Sequence, residues 1–335
     1  MSQTETVFIV GAGASFDFGF PVGKKLQIEI GDLIRPSRSH TDGLHPLIMF
    51  NLEGLRSRGI QYGDPLFRHC EWMAETIPLS PSIDTFLDRN SEHGDATSFL
   101  GKLAISHIIA SREATSSLSQ NAKKTVDWKS LSDTWIGRIW ALGNVGGATK
   151  KVDNPLPKTS FVTFNYDRCI EQFLTLAISQ SYRINYRDAA LIASNVPCEH
   201  VYGSIGSLTS ADAFCGYGSA PFPASAGVLA DRIKTFTEQV DSATSHRIYS
   251  LLQAATRIVF VGFSFGAINL RFLEQAQEPE GAIKQIFGTS YQMSREDSGR
   301  AENWADYTFR RGHSGSVFQD LKAAEFFDRN YMIFQ

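Results

Sequence analysis

A short run of apolar residues recurs along this chain, and each run ends in a glycine-rich or polar turn. Continuous apolar runs that are too short for a helix are typical of strands buried on both faces of a parallel sheet. The sequence therefore predicts four such strands and a weaker fifth, at Thr6–Val10, Ser160–Phe164, Glu199–Tyr202, Arg257–Val261 and, for the weaker one, Ile283–Phe287.

Helical patterns lie between several of these strands, at Asp167–Ser179, Ala243–Ala255 and Ile268–Gln277. Strand, turn and helix in alternation are the pattern of a sheet that is covered by helices on both sides. We therefore expect an α/β fold of the Rossmann-like, doubly wound kind, with a mainly parallel sheet.

The region after the first strand and its helix differs, because long amphipathic stretches replace the short apolar runs. These stretches predict a mainly helical insertion subdomain at 36–155, so that 1–35 and 156–335 form the α/β domain. A polar segment with few bulky residues, Ser111–Lys124, predicts a loop within the insertion. The amphipathic stretches are Pro46–Arg58, Pro65–Thr76, Ser82–Asp88, Asp95–Ser117 and Trp128–Leu142.

The charge balance of the 335 residues argues against a whole-chain attraction to nucleic acid or anionic lipid. Lys and Arg number 32 and Asp and Glu number 35, which gives a formal net charge of -3 at pH 7. We therefore expect no direct nucleic-acid binding. No apolar stretch is long enough to span a membrane. The first apolar run has no Lys or Arg before it and stops at Gly11, unlike a signal peptide.

The cysteines are scattered along the chain without any C-x-x-C pair, at Cys70, Cys169, Cys198 and Cys215. This spacing argues against a zinc ribbon and against a disulfide scaffold. We therefore expect free thiols in a reducing cytoplasm and no bound metal.

The first strand leads into a turn of small residues, Gly11-Ala12-Gly13-Ala14-Ser15, and a helical pattern follows. Such a turn allows backbone N–H groups to approach a pyrophosphate while the positive end of the helix faces it. Phe16 stands where the G-x-G-x-x-G fingerprint requires its third glycine, which argues against a standard dehydrogenase. The alternative is a turn that only permits close packing of strand and helix.

Polar residues also mark the ends of the second and third strands. Thr163, Asn165 and Asp167 surround the end of the second strand, and His200 lies in the third. The carboxyl ends of parallel strands meet at one edge of a sheet, so a carboxamide and an imidazole that titrates near neutral pH should meet there. The alternative for Asn165 or Asp167 is a helix N-cap, which does not account for the histidine.

The fourth strand ends in Gly262-Phe263-Ser264-Phe265-Gly266, which fits the pattern G-x-S-x-G. Taken alone, this pattern indicates the nucleophile elbow of an α/β-hydrolase, in which Ser264 would act with Asp297 and His313. That interpretation leaves the glycine turn and the polar residues of the second and third strands unexplained, and the sequence has no H-G-G-G oxyanion loop. A serine hydrolase is therefore the last-ranked alternative.

Together, these segments resemble the motifs of the sirtuin superfamily. They fit G-A-G-x-S-x-x-x-G-x-P at Gly11–Pro21, T-x-N-x-D at Thr163–Asp167 followed by H-x-x-G at His200–Gly203, and a late G-x-S at Gly262–Ser264. The resemblance implies a fold that binds NAD at the carboxyl ends of the strands.

The resemblance also implies roles for individual residues. Asn165 would hold a water or a ribose hydroxyl beneath the glycosidic bond, His200 would act as base toward the ribose, and Asp167 would belong to the same catalytic set. NAD would be contacted by Gly11, Ala12, Gly13, Ser15, Thr163, Gly203, Gly262, Ser264, Phe265 and Asn269.

Two departures separate the chain from the sirtuin protein deacylases. It has no four-cysteine zinc module, and Val22-Gly23-Lys24 stands where Asp-Phe-Arg is expected after Pro21. The chain is therefore more similar to the bacterial sirtuin-like effectors that hydrolyse NAD during anti-phage defence. That resemblance implies a cytoplasmic NAD glycohydrolase with NAD as substrate, gated by homo-oligomerisation or by a second defence protein. The alternatives are a protein deacylase and a non-catalytic sensor of NAD or ADP-ribose.

Overall fold

A computed structural model describes residues 5–37, 43–120, 125–143, 153–210, 216–219, 223–235, 238, 240–276, 284–310 and 315–334. Its centre is a six-stranded sheet in the order β3-β2-β1-β4-β5-β6, and every neighbouring pair is parallel. This order belongs to doubly wound Rossmann-like folds and confirms the predicted fold class. The strands are β1 Thr6–Val10, β2 Thr159–Thr163, β3 Cys198–His200, β4 Arg257–Val261, β5 Gln285–Thr289 and β6 Val317–Gln319.

The sheet agrees with the predicted strands at its centre and departs from them toward its edges. β1 and β4 have the predicted bounds, because their residues are almost all buried. β2 begins and ends one residue earlier than predicted. The prediction of the third strand, Glu199–Tyr202, was wrong at both ends, because β3 begins at Cys198 and ends at His200. β5 lies two residues later than predicted, and Ile283 falls outside the described residues. β6 was not predicted, because only Phe318 in it is buried.

Helices cover the sheet and fill the segment between β1 and β2. The first are α1 Ala12–Ser15 and α2 Lys24–Ile34, and the others before β2 are α3 Pro46–Met49, α4 Leu52–Arg56, α5 Asp64–Thr76, α6 Ile83–Arg89, α7 Asp95–Thr115, α8 Trp128–Ser132 and α9 Trp135–Gly143. After β2 come α10 Cys169–Tyr182, α11 Tyr186–Ala193, α12 Ala226–Ala230, α13 Ser242–Ala254, α14 Ala267–Leu273, α15 Arg295–Arg310 and α16 Ala323–Arg329.

In the described part of 36–155, every regular element is helical, as the amphipathic stretches predicted. The division into an insertion and an α/β domain stays a prediction. The loop predicted from Ser111 is wrong for its first part, because α7 continues to Thr115 and buries Glu113 against an arginine. Residues 116–120 form no helix or strand, as the loop predicts, and 121–124 lie outside the described residues.

Aromatic side chains pack on both faces of the sheet. On one face, Phe8 of β1 stacks on Phe161 of β2, with ring centroids 5.5 Å apart, and contacts Phe327 of α16. Phe260 of β4 points to the opposite face, since its neighbour Val259 is the register partner of Phe8, and it packs against α15. Helices on both faces are what an all-parallel sheet requires. Among the described helices, none is both long and apolar enough to cross a membrane.

A buried lysine next to the start of β5 caps the C-terminus of α13. The Nζ of Lys284 donates hydrogen bonds to the carbonyl oxygens of Leu252, Gln253 and Ala255, at 2.8, 2.9 and 2.6 Å. Carbonyls at a helix C-terminus lack partners within the helix and carry partial negative charge, so an ammonium group stabilises them.

Replacement of this lysine should therefore destabilise the fold. We expect Lys284→Met to lower the free energy of unfolding by about 2–4 kcal/mol, since three carbonyls lose a charged donor in a buried position. Urea unfolding of the wild type and the variant measures this difference. Lys129→Met, at an exposed position, is the control and should stay within about 0.5 kcal/mol of the wild type. Equal midpoints for the two variants would contradict the proposed role of Lys284.

Candidate functional site

The turns after β1 and β4 pack directly against each other at the switch point of the sheet. The N–H groups of Gly11 and Gly13 donate to the carbonyl oxygens of Val261 and Gly262, at 3.0 and 2.9 Å. A Cβ atom on Gly11 would lie 2.6 Å from the carbonyl oxygen of Gly262. Gly262 has a φ of +58°, and a Cβ there would lie 2.1 Å from the backbone nitrogen of Ala14. The close packing of the two turns therefore explains these glycines.

This packing also limits what the glycine turn can offer to a ligand. The N–H groups of Gly11 and Gly13, which the sequence suggested for a pyrophosphate, are occupied by backbone carbonyls in this conformation. Ala12 and Gly13 are exposed, so the tip of the turn is open to solvent. The predicted contact with a dinucleotide would therefore be made by the tip of the turn rather than by its base.

Asn165 follows β2 and ties the end of this strand to the glycine turn of β1. Its Nδ2 donates to the carbonyl oxygen of Gly11 at 3.0 Å and to Oγ of Ser15 at 2.9 Å. Its backbone N–H donates to Oγ1 of Thr163 at 3.1 Å, so Thr163 helps to fix its orientation. The side chain does not cap the following helix, which removes the N-cap alternative for this residue.

Asp167 continues the same hydrogen-bonded cluster. Oγ of Ser15 donates to Oδ2 of Asp167 at 2.7 Å, while Oδ1 accepts the N–H of Cys169 at 3.2 Å, in the first turn of α10. Burial raises the pKa of Asp167, although the hydrogen bonds from Cys169 and Ser15 oppose the rise. Asp167 therefore accepts a hydrogen bond from a backbone N–H at the start of α10 and another from the serine hydroxyl of the glycine turn.

His200 lies at the end of β3, in register with Thr163 of β2. Its Nδ1 is hydrogen-bonded to the backbone oxygen of Asn165 at 2.8 Å, and its Nε2 to Oε1 of Glu171 at 2.8 Å. Burial opposes the charged form of His200, but the Glu171 carboxylate outweighs burial, so the pKa of His200 is raised. The imidazole is therefore held between the predicted asparagine and a carboxylate.

Glu171 is a site residue that the sequence analysis missed. It lies in the first turn of α10, where a carboxylate is favourable for the helix dipole and ordinarily faces water. Burial tends to raise the pKa of Glu171, but the charge of His200 and its hydrogen bond outweigh burial, so the pKa of Glu171 is lowered. Only the position of β3 beside α10 shows that this carboxylate faces a histidine.

A buried ion pair joins the same segment to the long helix α7. The guanidinium Nε of Arg168 donates to Oε1 of Glu113 at 3.0 Å, and both side chains are almost fully buried, at 2 and 1% exposure. The Nη1 of Arg168 also donates to the carbonyl oxygen of Gly206 at 3.2 Å. Since a buried charge without a partner is costly, this pair fixes the position of α7 relative to the site.

Two further contacts connect the helices between β1 and β2 to the predicted site. The indole Nε1 of Trp135 in α9 donates to the carbonyl oxygen of Ala14 in the glycine turn, at 2.9 Å. The hydroxyl of Tyr166 donates to Oδ1 of Asp84 in α6, at 2.8 Å. These helices therefore support the loops that carry Ser15 and Asn165.

Three of the other residues predicted to contact NAD make contacts outside this cluster. Gly203 has a φ of +72°, and a Cβ there would lie 2.2 Å from the carbonyl oxygen of Arg232, so close packing explains this glycine. Asn269 accepts a hydrogen bond at Oδ1 from the hydroxyl of Tyr202, at 2.8 Å. Phe265 has a φ of +53° and packs its ring against Phe260 of the sheet.

The serine hydrolase alternative gains no support from the described residues. Ser264 is exposed, and its Oγ makes no hydrogen bond to another described residue. The strained φ in this turn belongs to Phe265 rather than to the serine, unlike a nucleophile elbow. Asp297 pairs with Ser294 in the first turn of α15, which is a capping arrangement. His313 lies outside the described residues.

In comparisons with known proteins, the chain is similar in structure to a SIR2 homolog that was crystallised as a complex with NAD. The sequences are 11% identical, the match covers 99% of this chain and 90% of that chain, and the TM-score is 0.38. No protein-family model and no curated protein matches the sequence. A likeness at this level does not assign a function.

The packing of the two turns predicts a sharp difference between two glycines. We expect Gly262→Ala to lower the free energy of unfolding by at least about 3 kcal/mol, because a Cβ would meet the backbone at a positive φ. Gly299 lies within α15 with open space around its Cβ position. Gly299→Ala should therefore stabilise the protein by about 0.5–1 kcal/mol. Thermal and urea unfolding test both variants, and a tolerated Gly262→Ala would refute the packing argument.

The pair of Glu171 and His200 predicts a dependence of stability on pH. The raised pKa of His200 gives a contribution that is complete below its unfolded value of 6.5 and is lost as the pH rises through the folded value. The lowered pKa of Glu171 gives a contribution that is present above 4.5 and is lost as the pH falls through its folded value. Glu171→Gln should therefore cost more stability at about pH 6 than at about pH 9.

Urea unfolding at both pH values measures this effect, and NMR titration of the imidazole should show a lower pKa for His200 in Glu171→Gln. Glu325→Gln removes a carboxylate that pairs with Arg329 on the surface, and it serves as the control. Because an arginine stays charged at both pH values, the loss in the control should be small and equal. An equal loss at both pH values for Glu171→Gln would rule out the charged pair.

Proposed function

We propose that the chain is an NAD⁺ glycohydrolase, which cleaves the bond between nicotinamide and ribose to give nicotinamide and ADP-ribose. The observation that carries the proposal is the hydrogen-bonded cluster of Ser15, Asn165, Asp167 and His200 at the carboxyl edge of the sheet. This edge, beside the switch point between β1 and β4, is where doubly wound sheets bind nucleotides. The motif resemblance supplies the choice of NAD.

The cluster supports a positioning role for Asn165. Its Nδ2 is occupied by Gly11 and Ser15, whereas its Oδ1 accepts no hydrogen bond from the described residues. That oxygen can accept a hydrogen bond from a water molecule or from a ribose hydroxyl. A carboxamide does not ionise, so it can hold an uncharged nucleophile at any physiological pH.

During the reaction, positive charge develops on the ribose and the attacking water loses a proton. The water oxygen forms a bond to the anomeric carbon, and the carbon–nitrogen bond breaks with its electron pair moving to nicotinamide, which leaves uncharged. The proton of the water goes to His200 once its Nε2 is released from Glu171 and is unprotonated. Asp167 stabilises the positive charge that develops on the ribose, as a buried carboxylate close to the cluster can do.

A non-catalytic sensor of NAD or ADP-ribose is the second candidate function. It is favoured by the observation that both ring nitrogens of His200 have hydrogen-bond partners within the chain. In that state the imidazole accepts no proton from a substrate. The two candidates therefore differ in whether Glu171 releases Nε2 when the nucleotide binds.

We further infer that the hydrolase is gated and acts as an NAD-depleting effector in anti-phage defence. An unrestrained NAD hydrolase would harm its own cell. A cluster in which both ring nitrogens of His200 are hydrogen-bonded within the chain is consistent with a resting state. Helices α7 and α9 contact the residues next to the cluster, since Glu113 pairs with Arg168 and Trp135 donates to Ala14. A partner or a second copy that shifts these helices would therefore act on the site. The defence role itself rests on the motif resemblance.

Incubation of the purified protein with NAD, followed by chromatography for nicotinamide and ADP-ribose, tests the proposal. The assay is run with the protein alone and with the product of the neighbouring gene. We expect Asn165→Ala and His200→Ala to reduce kcat by at least about 100-fold. His246→Ala, at an exposed position on α13, is the matched control and should retain wild-type turnover.

The same assay separates the alternatives. Ser264→Ala should raise KM and leave kcat nearly unchanged if the serine contacts NAD, whereas complete loss of turnover would support a serine hydrolase. Binding of NAD by calorimetry without turnover under every condition would favour the sensor. If NAD is cleaved equally by the wild type, Asn165→Ala and His200→Ala, the proposed site is wrong.

A further inference from the structure

Three potential metal ligands converge beside the predicted catalytic cluster. The Oε atom of Glu171, the Sγ of Cys198 and the ring nitrogen of His200 all lie within 4.8 Å of one another. Cys198 and His200 are two residues apart on β3, so their side chains point to the same face of the strand. Glu171 reaches them from the first turn of α10.

The surroundings of these side chains match those of a metal site. Protein histidines that bind a metal through one ring nitrogen usually donate the other N–H to a carbonyl or carboxylate. The Nδ1 of His200 already lies 2.8 Å from the backbone oxygen of Asn165, which leaves Nε2 as the ligand atom. Oε2 of Glu171 is buried and has no hydrogen-bond partner among the described residues. An incoming cation would satisfy this oxygen.

We propose that Glu171, Cys198 and His200 form a binding site for a divalent transition metal, with Zn²⁺ as the preferred ion. Thiolate, imidazole and carboxylate together are the ligand set of zinc rather than of Mg²⁺ or Ca²⁺, which prefer oxygen alone. Zn–S bonds of about 2.3 Å and Zn–N or Zn–O bonds of about 2.0–2.2 Å place the ligand atoms about 3.3–3.8 Å apart. Shifts of about 1 Å from the present positions are enough to reach this geometry.

Metal binding exchanges protons for the cation. The Cys198 thiol loses its proton to solvent, the protonated His200 loses the proton on Nε2, and the metal replaces the hydrogen bond between Nε2 and Glu171. The thiolate and the carboxylate then neutralise the two positive charges of the ion. The side chains of His200 and Glu171 are 10 and 28% exposed, so the ion can enter from solvent and keep a water in its fourth position.

The site also has a consequence for the proposed reaction, which rests on the proposed function. His200 cannot accept a proton at Nε2 while that nitrogen binds a metal ion. Zn²⁺ should therefore inhibit NAD cleavage reversibly, and a chelator should restore it. Cys198 belongs to the metal site alone, so it separates inhibition from catalysis.

Titration of the metal-free protein with Co²⁺ tests the site without any reference to NAD. Tetrahedral cobalt with a thiolate ligand gives visible ligand-field bands and a near-ultraviolet charge-transfer band, and Zn²⁺ should displace it. We expect both signals at micromolar Co²⁺ in the wild type. Cys198→Ser should abolish the charge-transfer band, and Glu171→Gln should weaken binding at least about tenfold. Cys70→Ala, a buried cysteine on α5, is the control and should bind like the wild type.

Each outcome decides the proposal. Absence of the bands in the wild type, or a charge-transfer band that survives in Cys198→Ser, overturns the metal site. Circular dichroism checks the fold of each variant, and Glu171→Gln preserves side-chain shape should Cys198→Ser fail to fold. In the NAD assay, Cys198→Ser should keep turnover and lose inhibition by Zn²⁺. Cobalt binding without NAD turnover, both by the protein alone and with the product of the neighbouring gene, would refute the proposed function and leave the metal site standing.

Discussion

Asn165 connects the ends of three neighbouring strands, and the candidate site depends on this connection. Its backbone N–H is bound by Thr163 of β2, its side chain by the turn after β1, and its carbonyl oxygen by His200 of β3. Two of these contacts use the backbone, and the side-chain contacts with Gly11 and Ser15 use the two N–H donors of the carboxamide. The parallel register brings the strand ends to one edge, and Asn165 then fixes the distances between the groups that they carry.

The helices between β1 and β2 are part of this arrangement rather than an addition to it. Arg168 lies one residue after Asp167, and its buried charge is compensated by Glu113 of α7. Separation of Arg168 from Glu113 would leave a buried charge without its partner, which costs about 3–5 kcal/mol. A movement of α7 would therefore move the segment 165–168 as well, so the position of the helical region and the geometry of the site are coupled.

The sequence predicted the centre of the fold better than its edges, for a physical reason. β1 and β4 are buried on both faces, so their apolar runs are continuous, whereas β6 lies at an edge and buries Phe318 alone. Asn165 and His200 could be found because they stand at strand ends. Glu113 and Glu171 could not, since a carboxylate on a helix has the same local pattern whether it faces water or a buried cation.

One nitrogen atom, Nε2 of His200, links the electrostatics of the site to its proposed chemistry. Its hydrogen bond to Glu171 favours the protonated imidazole, because the carboxylate raises the pKa of the ring. A protonated ring can neither accept a proton from water nor bind a metal ion. The protonated ring, the neutral ring that accepts a proton and the metal-bound ring are therefore mutually exclusive. Glu171 accepts a hydrogen bond from the first, is released from the second and binds the metal beside the third. The proposed reaction and the proposed metal site would therefore both compete with protonation for this single nitrogen atom.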